Sequence, residues 1–354
     1  MVIKEFSAIK FRNYQELFLP LSAGIYLITG DNGQGKTNLV EGFYFLCHLA
    51  SFRTSRLEQL IAFGASQSFL QGVVNKNDTD WKARIEISRR GRRVWLDEEP
   101  VPKLSSYISR FHSLLFNPDN LYNYRNFPGE RRSFYDRVLS FIDSDYLEAL
   151  RSFKTINNQI NKLLKKEDLS SLPAWNRLFV EKGCVIIKKR REITADLNNR
   201  LPRILSNLTG KAQQLALEYH PSLTGDLETD SRTLENLIER ERQAGRALQG
   251  PHRDEFLMTM PAGRGEAFFS QGESRVTLLA VLLALNEVLT ERMGYRPAVI
   301  LDDLYSELDS TVQENLTRHL HGLANQIFIT TTHPPPVLKH QAVEILQIQD
   351  GRIV

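Results

Sequence analysis

Cysteine is scarce in this chain: Cys47 and Cys184 are the only two among 354 residues. Two cysteines cannot supply a disulfide framework, and proteins that depend on such a framework are typical of oxidising compartments. The scarcity therefore excludes the disulfide-rich secreted class and favours a reducing compartment.

Long apolar runs are missing as well. The longest apolar segment, residues 276–285, has about half the length that a bilayer-spanning helix needs. The first 14 residues contain Lys4, Glu5, Lys10 and Arg12 and lack the apolar core of a signal peptide. We therefore expect a soluble, cytoplasmic protein that has no membrane partner.

A large excess of one charge is also missing, since the formal net charge is only +3. The charge is nevertheless uneven, because residues 101–210 carry a net +8 while the rest of the chain carries −5. This asymmetry predicts a basic surface on the middle of the chain. Such a surface fits a phosphate-rich partner, and it fits an ordinary solvated helical surface equally well.

The most informative stretch present is a glycine-rich one, Gly30-Asp31-Asn32-Gly33-Gln34-Gly35-Lys36-Thr37. It follows an apolar run, residues 25–28, and precedes an amphipathic one, residues 38–49. Strand, glycine-rich turn and helix form the context in which this spacing indicates a phosphate-binding loop, with the lysine on the β- and γ-phosphates and the threonine hydroxyl on Mg²⁺. The sequence therefore predicts that Lys36 and Thr37 bind a nucleoside triphosphate with Mg²⁺.

A second apolar run, residues 297–301, ends in Asp302 and Asp303. A strand that ends in aspartate is the usual second half of a phosphate-loop site, because its carboxylate holds the metal. We expect Asp302 to lie beside Thr37 and bind Mg²⁺, directly or through water, and Asp303 to orient or deprotonate the attacking water.

Lys36 and Asp302 lie 266 positions apart, which is far more than a minimal phosphate-loop domain needs. The spacing predicts a lobe inserted between the two halves of the site. We predict three segments: residues 1–104 and 210–354 form the two halves of a head, and residues 105–209 form the inserted basic lobe.

Periodicity gives the expected elements. Residues 69–101 alternate with period two, and Arg89-Arg90-Gly91-Arg92-Arg93 is predicted to form a hairpin tip; its arginines could grip phosphates or merely keep the turn soluble. Apolar residues recur at three- and four-residue steps from 135 to 163 and again from about 174 to 208, which predicts an antiparallel helical hairpin or small bundle. Neither block sustains heptads long enough for a long coiled coil.

Ser270-Gln271-Gly272-Glu273 precedes a strongly apolar segment. Serine followed by glutamate three residues later is typical of a capping box at a helix N-terminus. The same N-terminus can present N–H groups and a hydroxyl to an anion. The two interpretations are compatible, and both stay open.

Together these motifs resemble an ABC-type ATPase of the SMC kind, and more narrowly its bacterial recombination-repair branch, over nearly the full length. The resemblance rests on the phosphate loop, the Ser270 signature, the Asp302 strand and these stretches: Phe11-Arg12-Asn13-Tyr14, Ser51 to Thr54, Leu115 to Asp119, Arg131 to Asp136, Tyr146 to Leu150, Gly250 to Asp254 and Ser306 to Asp309. It implies an α/β fold, an ABC-type P-loop ATPase head with a mixed sheet plus an inserted helical lobe, SMC-like but without a long coiled coil.

The resemblance further implies how the residues act. ATP would be sandwiched in a head-to-tail homodimer, with Lys36 and Asp302 of one subunit facing Ser270 and Gly272 of the other. Arg12 and Asn13 would also contact the nucleotide. The clamp would hold double-stranded or gapped DNA, and relatives help to load RecA recombinase with the partners RecO and RecR.

The chain also departs from the family pattern. Glu273 stands where a neutral polar residue is expected, so it would either weaken ATP-driven pairing or fold back on its own helix. His333 lies two positions beyond the expected switch histidine, so Thr331 is the candidate for that place and His333 is not expected to be catalytic. Asp303 is one methylene shorter than the glutamate of transporters, so it should hold the attacking water less well, which predicts slow hydrolysis. The resemblance to DNA-binding relatives implies that this weak ATPase is stimulated by DNA.

Two other function classes share the phosphate loop. A transporter-type ATPase subunit would couple hydrolysis to a membrane partner, and brisk ATPase activity without stimulation by DNA would favour it. A kinase acting on a small molecule would transfer the phosphoryl group to a metabolite, but the spacing between Lys36 and Asp302 disfavours it. An ATP-gated DNA clamp remains the leading hypothesis.

Overall fold

The computed structural model describes residues 1–166, 169–260, 264–265, 269–305, 308–332, 334 and 343–354. The chain divides into two compact units. Unit 1 comprises Met1–Leu121, Ser206–Lys211 and Arg275–Val354, and unit 2 comprises Tyr122–Leu205 and Ala212–Ser274. The three predicted sequence segments stay a prediction beside this division.

The strands, in chain order, are β1 (Val2–Phe11), β2 (Tyr14–Pro20), β3 (Ile25–Thr29), β4 (Gln67–Lys76), β5 (Thr79–Ser88), β6 (Gly91–Leu96), β7 (Glu99–Pro100), β8 (Ser113–Phe116), β9 (Ala216–His220), β10 (Glu255–Met260), β11 (Arg264–Gly265), β12 (Ala298–Leu301), β13 (Ile327–Thr331), β14 (Glu344–Gln349) and β15 (Arg352–Ile353). The helices are α1 (Lys36–His48), α2 (Leu104–Ile108), α3 (Pro118–Asn126), α4 (Pro128–Ile142), α5 (Ser144–Lys166), α6 (Leu172–Asn198), α7 (Leu201–Thr209), α8 (Leu227–Ala244), α9 (Gln271–Met293) and α10 (Ser310–Gly322). Short 3₁₀ turns cover Leu57–Leu60 and Pro251–Arg253.

The first sheet of unit 1 is antiparallel, in the order β2-β1-β4-β5-β6-β7. Its strands alternate buried and exposed side chains, as a sheet with one face on the core should. Helix α1 packs beneath it and is buried on nearly all sides. The ring of Phe43 on α1 lies 4.7 Å from Phe6 of β1 and 4.3 Å from Phe328 of β13. Helix α1 therefore belongs to the core shared by the two sheets of unit 1.

The second sheet of unit 1 has the order β15-β14-β3-β13-β12-β8. All its neighbouring pairs are parallel except β14 with β15. Every residue of β3, β12 and β13 is buried, which is typical of parallel strands covered on both faces. Because these parallel strands end at the same edge of the sheet, the loops that follow Thr29, Leu301 and Thr331 begin at that edge.

Strand β8 was not expected as a separate strand. Its four buried residues pair with β12, with Phe116 opposite Leu301. The backbone N–H of Asp302 then donates to the carbonyl of Phe116 at 2.8 Å. The first part of the segment predicted as an insert from residue 105, through α2 and β8, thus lies in unit 1.

Unit 2 contains α4, α5, α6, α8 and the small sheet β11-β10-β9. Helices α5 and α6 pack along their apolar faces, and the rings of Phe153 and Phe179 lie 4.6 Å apart. The predicted helical hairpin is therefore present. Helix α8 begins at an Asp226 cap, whose carboxylate accepts from the N–H of Thr229 at 2.8 Å, and ends at Gly245 in a left-handed conformation.

A buried ionic cluster lies inside unit 2, around Arg190 of α6. The guanidinium is 2% exposed and donates to Asp254 at 2.7 Å, to Asp136 at 2.9 Å and to the carbonyl of Pro251 at 2.8 Å. Tyr219 donates to the carboxylate of Asp254, and the backbone N–H of Ser222 donates to it at 2.9 Å. Every charge in this cluster has an opposite charge in contact with it.

The predicted fold class is confirmed: a mixed sheet forms the head, and a mainly helical unit is inserted into it. The longest helices, α5 and α6, have 23 and 27 residues, and no long coiled coil is formed in the described part of the chain. None of the helices in the described ranges combines the length and apolar character that a bilayer crossing requires.

Candidate functional site

The glycine-rich loop connects β3 to α1, as its sequence predicts. Gly30 and Gly35 both have positive φ, at 143° and 118°, where a side chain would be strained. A Cβ on Gly30 would overlap the carbonyl oxygen of Ile348, and one on Gly35 would lie 2.6 Å from the amide of Asn13. Backbone conformation and close packing thus both require glycine at these positions.

Lys36 is the first residue of α1, and its side chain turns back into the loop. Its ammonium donates to the carbonyls of Gly30 at 2.6 Å and Asp31 at 2.9 Å. Burial lowers the pKa of Lys36, and the nearby carboxylates of Asp303 and Asp302 oppose that shift. The loop therefore encloses a partly desolvated positive charge.

Thr37 and Asp302 are brought together from opposite ends of the chain. The Thr37 hydroxyl donates to Oδ1 of Asp302 at 3.0 Å, and the Thr330 hydroxyl donates to the same oxygen at 2.6 Å. Thr330 also accepts from the backbone N–H of Asp303 at 2.9 Å. The ends of β12 and β13 thus hold the Asp302 carboxylate against the loop.

Asp302 is buried, at 4% exposure, and its direct hydrogen-bond donors are neutral hydroxyls. Burial raises the pKa of Asp302 above its ordinary value, while the bonds from Thr330 and Thr37 lower it in part. A buried carboxylate beside a hydroxyl is a hard-oxygen ligand set, which suits Mg²⁺. The residues present therefore fit the ion that the loop implies.

A concave pocket of about 210 Å³ lies at this site. It is lined by residues of the loop and of the facing strand ends: Asn32, Gly33, Gly35, Lys36, Thr37, Asn38, Arg53, Asp303 and Thr330. All of these belong to unit 1. Asp303 is exposed to the pocket and has φ 50°, an uncommon backbone conformation for aspartate that is often found at functional sites.

The loop's outer rim is held through Gln34. Its backbone carbonyl accepts from the Asn13 amide at 2.9 Å and from the N–H of Gly351 at 3.1 Å. Its side-chain oxygen accepts from the N–H of Asp350 at 2.6 Å. Asn38 of α1 in turn donates to Asn13 at 2.8 Å. The turn between β1 and β2 and the turn between β14 and β15 thus both hold the loop in place.

Arg12 makes its contacts within the protein. Its guanidinium forms two bonds with the buried carboxylate of Glu41, at 2.7 and 2.8 Å, and a third with the carbonyl of Gln59 at 2.8 Å. Ser51 donates to the same carboxylate. A nucleotide contact by Arg12 or Asn13 stays a prediction. In the structure Asn13 supports the loop through Gln34, whereas Arg12 is bonded to α1 and to the 3₁₀ turn Leu57–Leu60.

Ser270 and Gly272 lie in unit 2, at the start of α9. The N–H of Ser270 donates to the Glu273 carboxylate at 2.8 Å, and the N–H of Glu273 donates to the Ser270 hydroxyl at 3.1 Å. The predicted capping box is therefore present, and Glu273 folds back on its own helix. Ser270 remains exposed, and the space around the Cα of Gly272 is open.

Sequence reasoning did not assign Arg53 or Thr330 to the site. Arg53 lies in a polar stretch without periodicity; its guanidinium donates to Asn38 at 2.8 Å and lines the pocket. Thr330 precedes the candidate switch residue Thr331. Its position at the end of a buried strand next to β12 could have indicated that Thr330 lies at the site. His333 lies outside the described residues.

Three comparisons relate the chain to known proteins. Residues 2–352 match the family model described as RecF/RecN/SMC N terminal domain. DNA replication and repair protein RecF of Staphylococcus carnosus is 32% identical, with 97% of each chain covered, and that of Agathobacter rectalis is 30% identical, with 100% and 99% covered. The solved structure described as "recombination mediator protein RecF-ATP in RecFOR pathway" is 26% identical at TM-score 0.87, covering 99% of this chain and 96% of that one.

A more distant structure, the SmcHead bound to the C-winged helix domain of ScpA, has TM-score 0.61 and 17% identity, and covers 100% of this chain and 97% of that one. At this identity it bears on the fold alone. The sheets, the loop and the Asp302 strand together define an ABC-type P-loop ATPase head of the SMC kind. The chain belongs to the RecF/RecN/SMC family, within the RecF proteins of DNA replication and repair.

Proposed function

We propose that this protein is an ATP-dependent clamp for double-stranded DNA in recombinational repair. Two copies would pair head to tail when ATP is bound, and slow hydrolysis would release them. The proposal combines the site geometry with the names of the relatives, which are DNA replication and repair proteins.

The observation that carries the proposal is the bond between Thr37 and Asp302. It joins the two halves of a phosphate-loop site across 265 positions, at 3.0 Å. In this site Thr37 and Asp302 would hold Mg²⁺, which would neutralise phosphate charge. Lys36 would contact the β- and γ-phosphates, and Asp303, exposed to the pocket, would orient the attacking water.

The second wall of the site would come from the partner copy. The pocket residues all lie in unit 1, and the γ-phosphate needs further donors. An exposed helix N-terminus such as that of α9 offers N–H groups and a favourable dipole to an anion. Ser270 and Gly272 of the second copy would supply these donors, so each triphosphate would add contacts across the interface.

DNA would be held through its phosphates, so binding would depend strongly on salt and weakly on sequence. The related ATP-bound structure is that of a recombination mediator protein in the RecFOR pathway. By that likeness, RecO and RecR would be partners, and loading of RecA at gapped DNA would be the outcome. The short Asp303 side chain fits a switch with slow turnover better than a motor.

Size-exclusion chromatography with and without ATP and duplex DNA tests the proposal. The wild-type protein should elute as a dimer only with ATP and Mg²⁺, and Lys36→Met should stay monomeric because the phosphate contact is lost. Lys103→Met, which removes an exposed lysine of unit 1, should behave like the wild type. ATP-dependent dimers of Lys36→Met would contradict the mechanism.

Mixing two inactive variants tests whether the site is shared. Lys36→Met and Ser270→Arg should each fail to dimerise with ATP. In a head-to-tail pair, their mixture restores one intact site, built from the Lys36 loop of one copy and Ser270 of the other. Dimers in the mixture are expected; a mixture as inactive as its components would show that each copy builds its site alone.

A further inference from the structure

Helix α5 carries a run of positive charge without any acidic residue from Ala149 to its end. From Ala149 to Lys166 the sequence contains Arg151, Lys154, Lys162, Lys165 and Lys166 and no Asp or Glu. These five cations, with Asn158 between them, are called the α5 stripe. All six side chains are exposed.

The stripe is a single face of the helix. Arg151, Lys154, Asn158, Lys162 and Lys165 recur at steps of three and four residues, so they lie one above another. The opposite face is apolar and buried in unit 2: Leu150, Phe153, Ile156, Ile160, Leu163 and Leu164. At a rise of 1.5 Å per residue, the stripe extends for about 22 Å.

The cations of the stripe have no carboxylate in contact with them among the residues that the structure describes. Helix α8 of the same unit differs in this respect. There Arg232 pairs with Glu228 at 2.5 Å, and Arg242 pairs with Glu239 at 2.8 Å. Two of the three arginines of α8 are therefore paired with carboxylates, whereas, among the described residues, the cations of the α5 stripe are not.

We propose that the α5 stripe binds the phosphate backbone of double-stranded DNA. Ammonium, guanidinium and amide groups are the usual donors to phosphate oxygens, and such contacts do not depend on the base sequence. Duplex DNA presents one negative charge per about 1.7 Å of axis, so 22 Å of helix faces about six base pairs. The inference rests on the proposed function, which supplies DNA as the partner.

A protein partner fits this face less well. Protein interfaces are centred on aromatic and apolar anchors, with charges at the rim. Beyond the first turns, the exposed side chains of α5 are Arg151, Lys154, Thr155, Asn158, Lys162, Lys165 and Lys166. No apolar side chain on that face could form the centre of such an interface.

The test compares two triple variants of the full chain, each losing three positive charges. Arg151→Gln/Lys154→Gln/Lys162→Gln alters the stripe and leaves Lys165, whose stem lies beside Gly245. Arg232→Gln/Arg240→Gln/Arg242→Gln alters α8. Fluorescence anisotropy with a labelled 30-base-pair duplex, ATP and Mg²⁺ gives Kd between 50 and 250 mM salt, and a fluorescent ATP analogue monitors the nucleotide site.

The α5 variant should raise Kd at least tenfold at 100 mM salt. The magnitude of its slope of log K against log salt should fall by about 2.7 for each copy of the chain that contacts the duplex, since each neutralised phosphate contributes about 0.9. The α8 variant should stay within twofold of the wild type, with an unchanged slope. Nucleotide affinity should be unchanged in both, and Lys162→Gln alone should lower the slope by about 0.9.

Wild-type Kd and slope in the α5 variant would overturn the inference and leave the proposed function standing. An equal loss of DNA affinity in the α8 variant would also overturn it, because that result would indicate a general charge effect. Weaker binding by the α5 variant with an unchanged salt slope would overturn it too, because that result would indicate a structural defect. If the wild type with ATP fails to bind the duplex, both the proposed function and this inference fall.

Discussion

Two of the buried charges in the molecule, Arg190 and Asp302, have opposite kinds of surroundings. In unit 2, Arg190 contacts Asp136 and Asp254, and every charge is matched. In unit 1, Asp302 is equally buried, but the groups bonded to its carboxylate are the hydroxyls of Thr37 and Thr330. The carboxylates of the first cluster are bonded directly to a guanidinium, whereas Asp302 is bonded to neutral hydroxyls and is influenced by Lys36 and Arg53 only at a distance.

The pKa shifts of Arg190 and Asp302 reflect the same difference in surroundings. Burial alone would lower the pKa of Arg190, yet Asp136 and Asp254 hold it well above its ordinary value. Burial raises the pKa of Asp302, and hydrogen bonds offset this only in part. Removing one partner of a matched buried pair destabilises a fold, whereas a buried carboxylate without a directly bonded cation beside a phosphate loop is a candidate ligand site.

The largest effect is expected from removing the centre of the matched cluster. Arg190→Met leaves Asp136 and Asp254 buried without their cation, which should lower the free energy of unfolding by about 3–5 kcal/mol. Urea denaturation gives the value. Arg177→Met, on the same helix, breaks an exposed pair with Glu181 and should cost less than about 1 kcal/mol. Equal losses of unfolding free energy in the two variants would contradict the distinction between matched buried charges and exposed pairs.

The same substitution, aspartate to asparagine, should change the free energy of unfolding in opposite directions at two positions. Asp254→Asn weakens a matched pair and should destabilise the protein by at least about 2 kcal/mol. Asp302→Asn removes an unmatched buried charge and should stabilise the nucleotide-free protein by about 1 kcal/mol, while Mg²⁺-dependent ATP binding falls by more than about tenfold. Unfolding curves and nucleotide titrations measure both effects, and destabilisation by both substitutions would contradict the distinction.

The smallest effect concerns pH. Because the pKa of Asp302 is raised in the folded protein, the wild type loses stability as pH rises from the ordinary aspartate pKa of about 3.9 through the raised value. The gain in unfolding free energy from Asp302→Asn should be near zero below the ordinary pKa. It should grow between the ordinary and the raised pKa and then level off. Unfolding free energies of both proteins across that window test this, and a pH-independent difference would count against it.

Much of the fold follows from local patterns. Alternation predicts β4, β5 and β6 of the antiparallel sheet, three- and four-residue steps predict α5 and α6, and glycines at fixed spacing predict the loop. The bond between Thr37 and Asp302 was predictable because each residue follows a recognisable apolar strand, and parallel strands end at one edge.

Other features depend on contacts that no local pattern encodes. Arg190 occupies a charged stretch of α6 that resembles a solvated surface, and its burial follows from partners 54 and 64 positions away. Strand β8 has four residues, too few for a periodicity, and pairs with β12. Helix α8 was not predicted, although Asp226 as cap and Gly245 as stop were available signals.

Strand β3, which carries the phosphate loop, is flanked by β13 and β14, whose residues lie about 300 positions later. The antiparallel sheet, in contrast, uses only strands from the first 100 residues. At a synthesis rate of roughly 5–20 residues per second, β3 leaves the ribosome on the order of 15–60 s before its neighbours exist. A nascent chain therefore cannot complete its nucleotide site until β13 and β14 have been synthesised, and until then the apolar strand β3 lacks both of its neighbouring strands.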